Sequence, residues 1–115
     1  MNVTAMPVEQ VRAVAAAALL LGLDATRWAH ALGTAATQAA GLHASGGTMS
    51  KPFHSGKAAA DGLLAANLAQ RGWVARPDAI EADGGFIETH ATGAHVKELR
   101  AKVQFARRCR DGIAR

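Results

Sequence analysis

The chain has 115 residues, which allows one small domain at most, and a formal net charge of +4 at pH 7. Hydrophobic residues make up 50% of it but aromatic residues only 4%, and about a quarter of the chain is alanine, which favours close helix packing but gives a core that is weak for its size. The one cysteine, Cys109, excludes an internal disulfide.

Cellular location is predicted from the same features. A single cysteine fits a reducing compartment, and residues 2–10 do not form a basic signal-peptide start. The apolar run from Ala13 to Leu21 is shorter than the roughly 20 residues that cross a bilayer. We therefore expect a cytoplasmic protein without a membrane partner.

The first two predicted helices are rich in alanine. Helix one is expected from about Pro7 to Leu21, ending at Gly22, and it is apolar nearly all round. A helix without a polar face needs to be surrounded, and a chain this short has few elements to surround it. The pattern therefore indicates a fragment of a larger domain or an oligomer.

Helix two is expected from Ala25 to about Ala40, capped by Asp24 and closed by Gly41. Trp28 and Leu32 are predicted to reach the core. Small residues at positions 33, 36 and 40 favour close packing against another helix. His30 lies mid-helix without an acidic neighbour, so we interpret it as a partly buried histidine and not as a catalyst.

The segment after Gly46 carries the densest chemistry. Pro52 favours an extended conformation before it, so an ordered loop is predicted over residues 50–53. Ser55 is predicted to cap helix three, from Gly56 to about Arg71. Leu63, Leu64 and Leu68 are expected to make its apolar contacts, and Lys57 to pair with Asp61 on its surface.

This segment is a candidate anion site. A helix start offers free N–H groups, lysines add full charges, and an imidazole can donate to an oxyanion or transfer a proton. The candidate substrate-binding residues are Ser50, Lys51, His54, Ser55, Gly56 and Lys57. A solvated connector is the alternative for such a charge cluster. His43 and His54 have no third ligand at a recognisable spacing, so no metal site is predicted.

The last part of the chain is predicted to hold a short helix from Asp78 to Ala82, a turn at 83–86 and an irregular stretch from 87 to 94. A final helix is expected from His95 to about Cys109, with Val96, Leu99, Val103 and Ala106 on one stripe.

Residues 97–115 carry seven basic and two acidic residues. With Phe105 as the only aromatic residue there, a solvated basic face is favoured over an acidic or nucleic-acid partner, and no nucleic-acid binding is predicted.

Several segments together resemble the MmgE/PrpD family, which includes 2-methylcitrate dehydratase, cis-aconitate decarboxylase and iminodisuccinate epimerase. They are 19–24 (LLLGLD), 29–33 (AHALG), 36–42 (ATQAAGL), 47–59 (GTMSKPFHSGKAA) and 83–86 (DGGF). The GTMSKxxHxGxAA run is the most specific. The resemblance implies an all-α fold, a small helical bundle that is an internal slice of the family's larger helical domain. Residues 1–94 form the family-like segment, and residues 95–115 form a separate basic amphipathic helix.

By resemblance, the chemistry is cofactor-free proton abstraction beside a carboxylate, followed by loss of water or carbon dioxide or by reprotonation. The lysine of the family's K-x-x-H loop falls on Lys51 and its histidine on His54, which makes these two the candidate catalytic residues. The implied ligand is a di- or tricarboxylic acid such as 2-methylcitrate or cis-aconitate.

The departures from the family pattern leave activity open. Family members are several times longer, with a lid domain and further active-site residues upstream. Residues 6–10 read MPVEQ where the family has an HPTGT-like segment, so Met6 stands at the histidine position. Three hypotheses remain: a lyase or isomerase fragment that binds its acid without turnover, a non-catalytic helical module that dimerises or docks on a partner, and one subunit of a split enzyme. A homo-oligomer or a companion subunit is the expected macromolecular partner.

Overall fold

The computed structural model describes residues 6–90 and 95–113, and over these ranges it contains helices and turns without a strand. The helices are α1 (Met6–Leu21), α2 (Ala25–Thr37), α3 (Ser50–Gln70), α4 (Phe86–His90) and α5 (His95–Ile113), with a 3-10 turn at His43–Ser45. The predicted all-α class is confirmed. Helices α1, α2 and α3 pack on one another, and α5 packs on α4.

The core is built from small side chains. Val14 of α1, Ala31 and Ala35 of α2, and Ala65 and Ala69 of α3 form its buried cluster, with Leu23 and Leu32 packed at its edge. The predicted core position of Leu32 is confirmed, and Trp28 is half-buried. Because alanine side chains are short, the helix backbones approach closely where they cross.

The face by which α3 enters this core differs from the prediction. Leu63 and Leu64 are about half exposed, whereas Ala58, Ala65, Ala66 and Ala69 are buried. The prediction weighted residue size, but Gly62 sits against α1 at a distance that admits no larger side chain. A Cβ added there would lie 2.5 Å from the Cβ of Ala13 and 2.7 Å from the carbonyl oxygen of Gln10.

The start of α2 is as predicted, but its end is not. Asp24 Oδ1 accepts the backbone N–H of Arg27 at 2.9 Å, and Gly22 closes α1 with a φ of 66°. The helix ends at Thr37, three residues early. The Thr37 hydroxyl donates to the carbonyl of Thr34 at 2.8 Å, and the Gln38 N–H donates to Ala35 at 3.1 Å, so polar side-chain and 3-10 bonds replace the α-helical ladder.

The region after α3 also differs from the sequence expectation. Residues 77–82 form turns and no helix, while α4 occupies 86–90, a stretch predicted to be turn and irregular chain. Gly85 allows this arrangement, because a Cβ there would lie 2.4 Å from the carbonyl oxygen of Ala79. Residues 91–94, which carry the rest of the irregular stretch and adjoin the predicted boundary at 94/95, lie outside the described residues.

Helix α5 reaches Ile113, beyond the predicted end at Cys109. Val96, Leu99 and Val103 of its apolar stripe are half-buried, whereas Ala106 is exposed. Arg100 holds the helix to the turn before α4, donating to Ala82 O at 3.1 Å, to Asp83 at 2.9 Å and to Glu88 at 2.5 Å.

Candidate functional site

The GTMSKPFHSGKAA segment is mostly helical. Helix α3 begins at Ser50, so the predictions of a loop at residues 50–53 and of an N-cap at Ser55 are wrong. Pro52 is the third residue of the helix, where a backbone N–H would have no intrahelical acceptor, so the proline costs no hydrogen bond. The turn before the helix relies on Gly47, whose φ is 80°, and on the Lys51 N–H, which donates to Thr48 O at 3.2 Å.

This early start changes which groups can meet an anion. The backbone amides of Ser55, Gly56 and Lys57 lie inside α3 and not at its beginning. Successive residues of a helix are about 100° apart, so positions 50, 51, 54 and 57 fall within one arc, position 55 lies at its edge one turn after Lys51, and position 56 points away. The structure therefore brings Ser50, Lys51, His54 and Lys57 to one side of two helical turns, with Ser55 at its edge, and leaves Gly56 out.

Lys51 and His54 continue the buried face of α3 beyond its last buried member. They precede Ala58 by seven and four residues, the spacing that keeps residues on one helix face. Ala58 is fully buried, whereas Lys51 is exposed and His54 half-buried. Among residues 6–90 and 95–113, neither side chain has an ion-pair or hydrogen-bond partner; the His54 ring lies beside that of Phe53, with centroids 6.5 Å apart.

Lys57, by contrast, is already paired. Its ammonium donates to Asp61, which confirms the pair expected from the sequence. The pair is less superficial than expected, because the Asp61 side chain is only 6% exposed and also accepts from Gln10 Nε2 at 3.4 Å. Gln10 is buried on α1. The hydrogen bonds that Lys57 and Gln10 donate to Asp61 thus connect the edge of the candidate site to the contact between α1 and α3.

Sequence reasoning missed the buried role of Asp61. One signal was present: Asp61 and Gly62 interrupt an alanine-rich stretch in the middle of a predicted helix. An acid there needs a partner if it is buried, and Lys57 lies one turn away. The second partner, Gln10, is distant in sequence, so no local pattern predicts it.

His30 lies away from this group. Its Nδ1 is 2.7 Å from the carbonyl oxygen of Ala75 and 3.2 Å from the Ala75 nitrogen, and the ring is partly buried. The prediction of a partly buried histidine in mid-helix is confirmed. Gly33, three residues after His30, lets residues 75–76 lie close to α2. A Cβ added at Gly33 would lie 2.3 Å from the carbonyl oxygen of Arg76.

A concave region lies between the end of α2, the turns at 76–85 and α4. It has a volume of about 300 Å³, and its polar lining includes Arg76, Asp83 and His90. Arg76 Nε donates to Asp78 Oδ1 at 2.7 Å. This hydrogen bond and the negative charge of Asp78 raise the pKa of Arg76. None of the residues predicted for the anion site lines this cavity.

Two further features of the described residues bear on other functions. No helix in the described ranges combines the length and apolarity needed to cross a membrane. Among the same residues, no three His, Cys, Asp or Glu side chains lie together in a group that could hold a metal ion.

Comparison with known proteins gives one match. The family model of the MmgE/PrpD N-terminal domain matches residues 3–99, which covers α1 to α4 and the first turn of α5. No curated protein and no solved structure matches the chain. Since the family model spans most of the 115 residues, the chain belongs to the MmgE/PrpD family.

Proposed function

We propose that this chain supplies one wall of an MmgE/PrpD-type lyase or isomerase site that binds a di- or tricarboxylic acid such as 2-methylcitrate or cis-aconitate. One observation carries the proposal: Lys51 and His54 occupy positions of α3 that continue its core-facing side beyond Ala58, where no described residue pairs with them. If another surface covers these positions, their charges are costly to bury unless a partner of opposite charge meets them there.

The residues present suit an organic acid. The Lys51 ammonium and the His54 imidazole lie three residues apart on one side of α3, so both can meet carboxylates of one small molecule. Lys57 stands one turn from His54 and adds a third charge, shared with Asp61. Ser50, at the first position of the helix, offers a hydroxyl on the same side.

Each candidate residue has a chemical role in the proposal. Imidazole exchanges protons near neutral pH, so His54 donates to or accepts from the reacting centre. Lys51 neutralises a carboxylate, and once a covering surface removes water its neutral amine also acts as a base. Proton abstraction beside a carboxylate, followed by loss of water or carbon dioxide or by reprotonation, is the reaction class.

The wall is open in this chain. Residues 50–57 of α3 include no buried residue; Lys51 is exposed and His54 half-buried. A site that must exclude water and stabilise a carbanion needs a second wall. We therefore place the remaining groups on polypeptide outside these 115 residues, whether a further segment or a companion subunit, and expect weak binding without turnover from the chain by itself.

Calorimetric titration with 2-methylcitrate, cis-aconitate and citrate tests the proposal. The expected dissociation constants are on the order of millimolar, about 4 kcal/mol of binding. A Lys51→Ala, His54→Ala double variant should weaken binding at least about tenfold. The matched control is Lys97→Ala with His90→Ala, which removes the same residue types from α5 and α4 and should leave binding unchanged. Equal heats from all three proteins would refute the proposed site.

A non-catalytic interaction module is the second candidate. It is favoured by the large apolar side chains that the described residues leave exposed, among them Leu20 of α1 and Phe53 of α3. This candidate predicts association without acid binding, so the same titration separates it from the first.

A further inference from the structure

The pairing of Lys57 bears on which acids the wall formed by α3 can hold. Its ammonium donates to Asp61 Oδ1, while Asp61 Oδ2 accepts from Gln10 Nε2 at 3.4 Å. The Asp61 side chain is 6% exposed, and Gln10 is buried on α1. The carboxylate is therefore held through both of its oxygens, by α3 on one side and by α1 on the other.

A ligand cannot take Lys57 from this carboxylate without a large loss. Half of the Lys57 side chain is exposed, but the acid that it neutralises is not. Removing one partner from a buried carboxylate leaves an uncompensated charge, which costs far more than breaking a pair at the surface. If the ammonium turned to a ligand, the Gln10 amide would be the donor left to Asp61 among the described residues. The ammonium therefore stays with Asp61.

The direction of the pair also draws the charge of Lys57 away from the acid site. Asp61 lies four residues after Lys57, about 6 Å further along the helix axis. The candidate catalytic residues Lys51 and His54 lie on the opposite, N-terminal side of Lys57. Within the described part of the chain these two have no ion-pair or hydrogen-bond partner. They are thus the groups of this wall that remain to meet the carboxylates of a ligand.

We infer that Asp61 is a specificity-determining residue: by holding Lys57, it restricts this wall to two carboxylates, so a third carboxylate on the ligand gains no affinity from it. The inference rests on the proposed acid site and specifies its ligand class. A tricarboxylic acid still fits, but its third carboxylate has to be met by the second wall. Asp61→Asn keeps an acceptor for Gln10 and releases Lys57 to the ligand.

Two acids that differ by one carboxylate test the inference by calorimetric titration. Tricarballylate is glutarate with a third carboxylate on its middle carbon, so the ratio of their dissociation constants isolates that group. For the parent chain we expect the two constants to agree within about threefold. In Asp61→Asn, tricarballylate should bind at least about tenfold tighter than in the parent, through a charge-assisted hydrogen bond to the released ammonium. Glutarate binding should change by less than about threefold.

Two further variants separate a direct contact from a change in net charge. Adding Lys57→Met to Asp61→Asn should abolish the gain, because the ammonium is then missing. The matched control is Asp24→Asn, which raises the net charge by the same unit on α2, keeps a capping residue and should leave the ratio unchanged. Titration at about 0.15 M salt screens charges more than about 8 Å apart, and circular dichroism checks that each variant keeps its helix content.

Three outcomes would overturn the inference while leaving the acid site in place. One is a parent chain that binds tricarballylate at least about tenfold tighter than glutarate, since Lys57 would then already serve the ligand. Another is a ratio that Asp61→Asn leaves unchanged. The third is a gain in Asp61→Asn that survives the loss of Lys57. If neither acid binds the parent or Asp61→Asn, the proposed acid site itself is refuted, and this inference with it.

Discussion

Helix α3 contains two interior glycines for which the structure predicts opposite effects of the same substitution. Gly62 faces α1, where an added methyl group would lie 2.5 Å from Ala13 Cβ and 2.7 Å from the carbonyl oxygen of Gln10. Gly56 faces open space. Gly62→Ala should therefore destabilise the fold, and Gly56→Ala should stabilise it.

The magnitudes follow from two competing effects. Replacing a helix-interior glycine with alanine gains up to about 1 kcal/mol of helix propensity at either position. At Gly62 the new methyl group overlaps a backbone oxygen that cannot rotate away, so α1 and α3 must separate, and overpacking of this kind costs about 1–3 kcal/mol or more. The net change in the free energy of unfolding is a loss of roughly 1–2 kcal/mol for Gly62→Ala and a gain of about 0.5–1 kcal/mol for Gly56→Ala.

Urea and thermal unfolding, followed by circular dichroism at 222 nm, measure both changes. For a domain near this size, 1 kcal/mol shifts the melting temperature by roughly 4 °C, so the two variants should separate clearly on either side of the parent chain. Changes of the same sign in both variants would show that the close contact of Gly62 with α1 does not control stability.

Three further predictions concern polar contacts. Asp61→Ala should lower the free energy of unfolding by about 1–3 kcal/mol and Asp61→Asn by less, because the alanine leaves the buried Gln10 amide without its acceptor; urea unfolding compares them. Asp24→Ala should cost about 1 kcal/mol through loss of the α2 cap, with Asp24→Asn close to the parent in the same assay. Arg100→Met should speed amide hydrogen exchange in α5 while leaving α1 unaffected, because its three bonds hold that helix to the rest; equal exchange in both helices would contradict this.

The sequence predicted helix starts and stops well where one local interaction decides them. Asp24 as a cap and Gly22 as a stop are read from residue type alone, and both are observed. The predicted start of α3 is wrong because the effects of proline and serine depend on where they lie in a helix, as Pro52 and Ser55 show. Proline ends helices in their interior but is tolerated in the first turn, and serine caps a helix only when it lies outside it.

The core was predicted less well, because a long-range distance decides it. Leu63 and Leu64 are large apolar residues in the middle of α3, and residue size alone favours them for burial. The contact between Gly62 and α1 sets the rotation of the helix, which buries the alanines and turns the leucines outward. The same rotation puts Asp61 inside, where Gln10 meets it, a pairing 51 residues apart that no local pattern contains.

That rotation also bears on the proposed acid site. With Gly62 against α1, Ala58, His54 and Lys51 lie four, eight and eleven residues before it, spacings that keep residues on one face of a helix. The charged pair therefore sits where the core would continue, and a surface that covered it would have to supply opposite charge. Leu63 lies on the other side of α3 and is about half exposed, so Leu63→Glu should leave acid binding unchanged. A loss of acid binding in Leu63→Glu as complete as in the Lys51→Ala, His54→Ala variant would mean that the position of the charged pair on α3 does not determine binding.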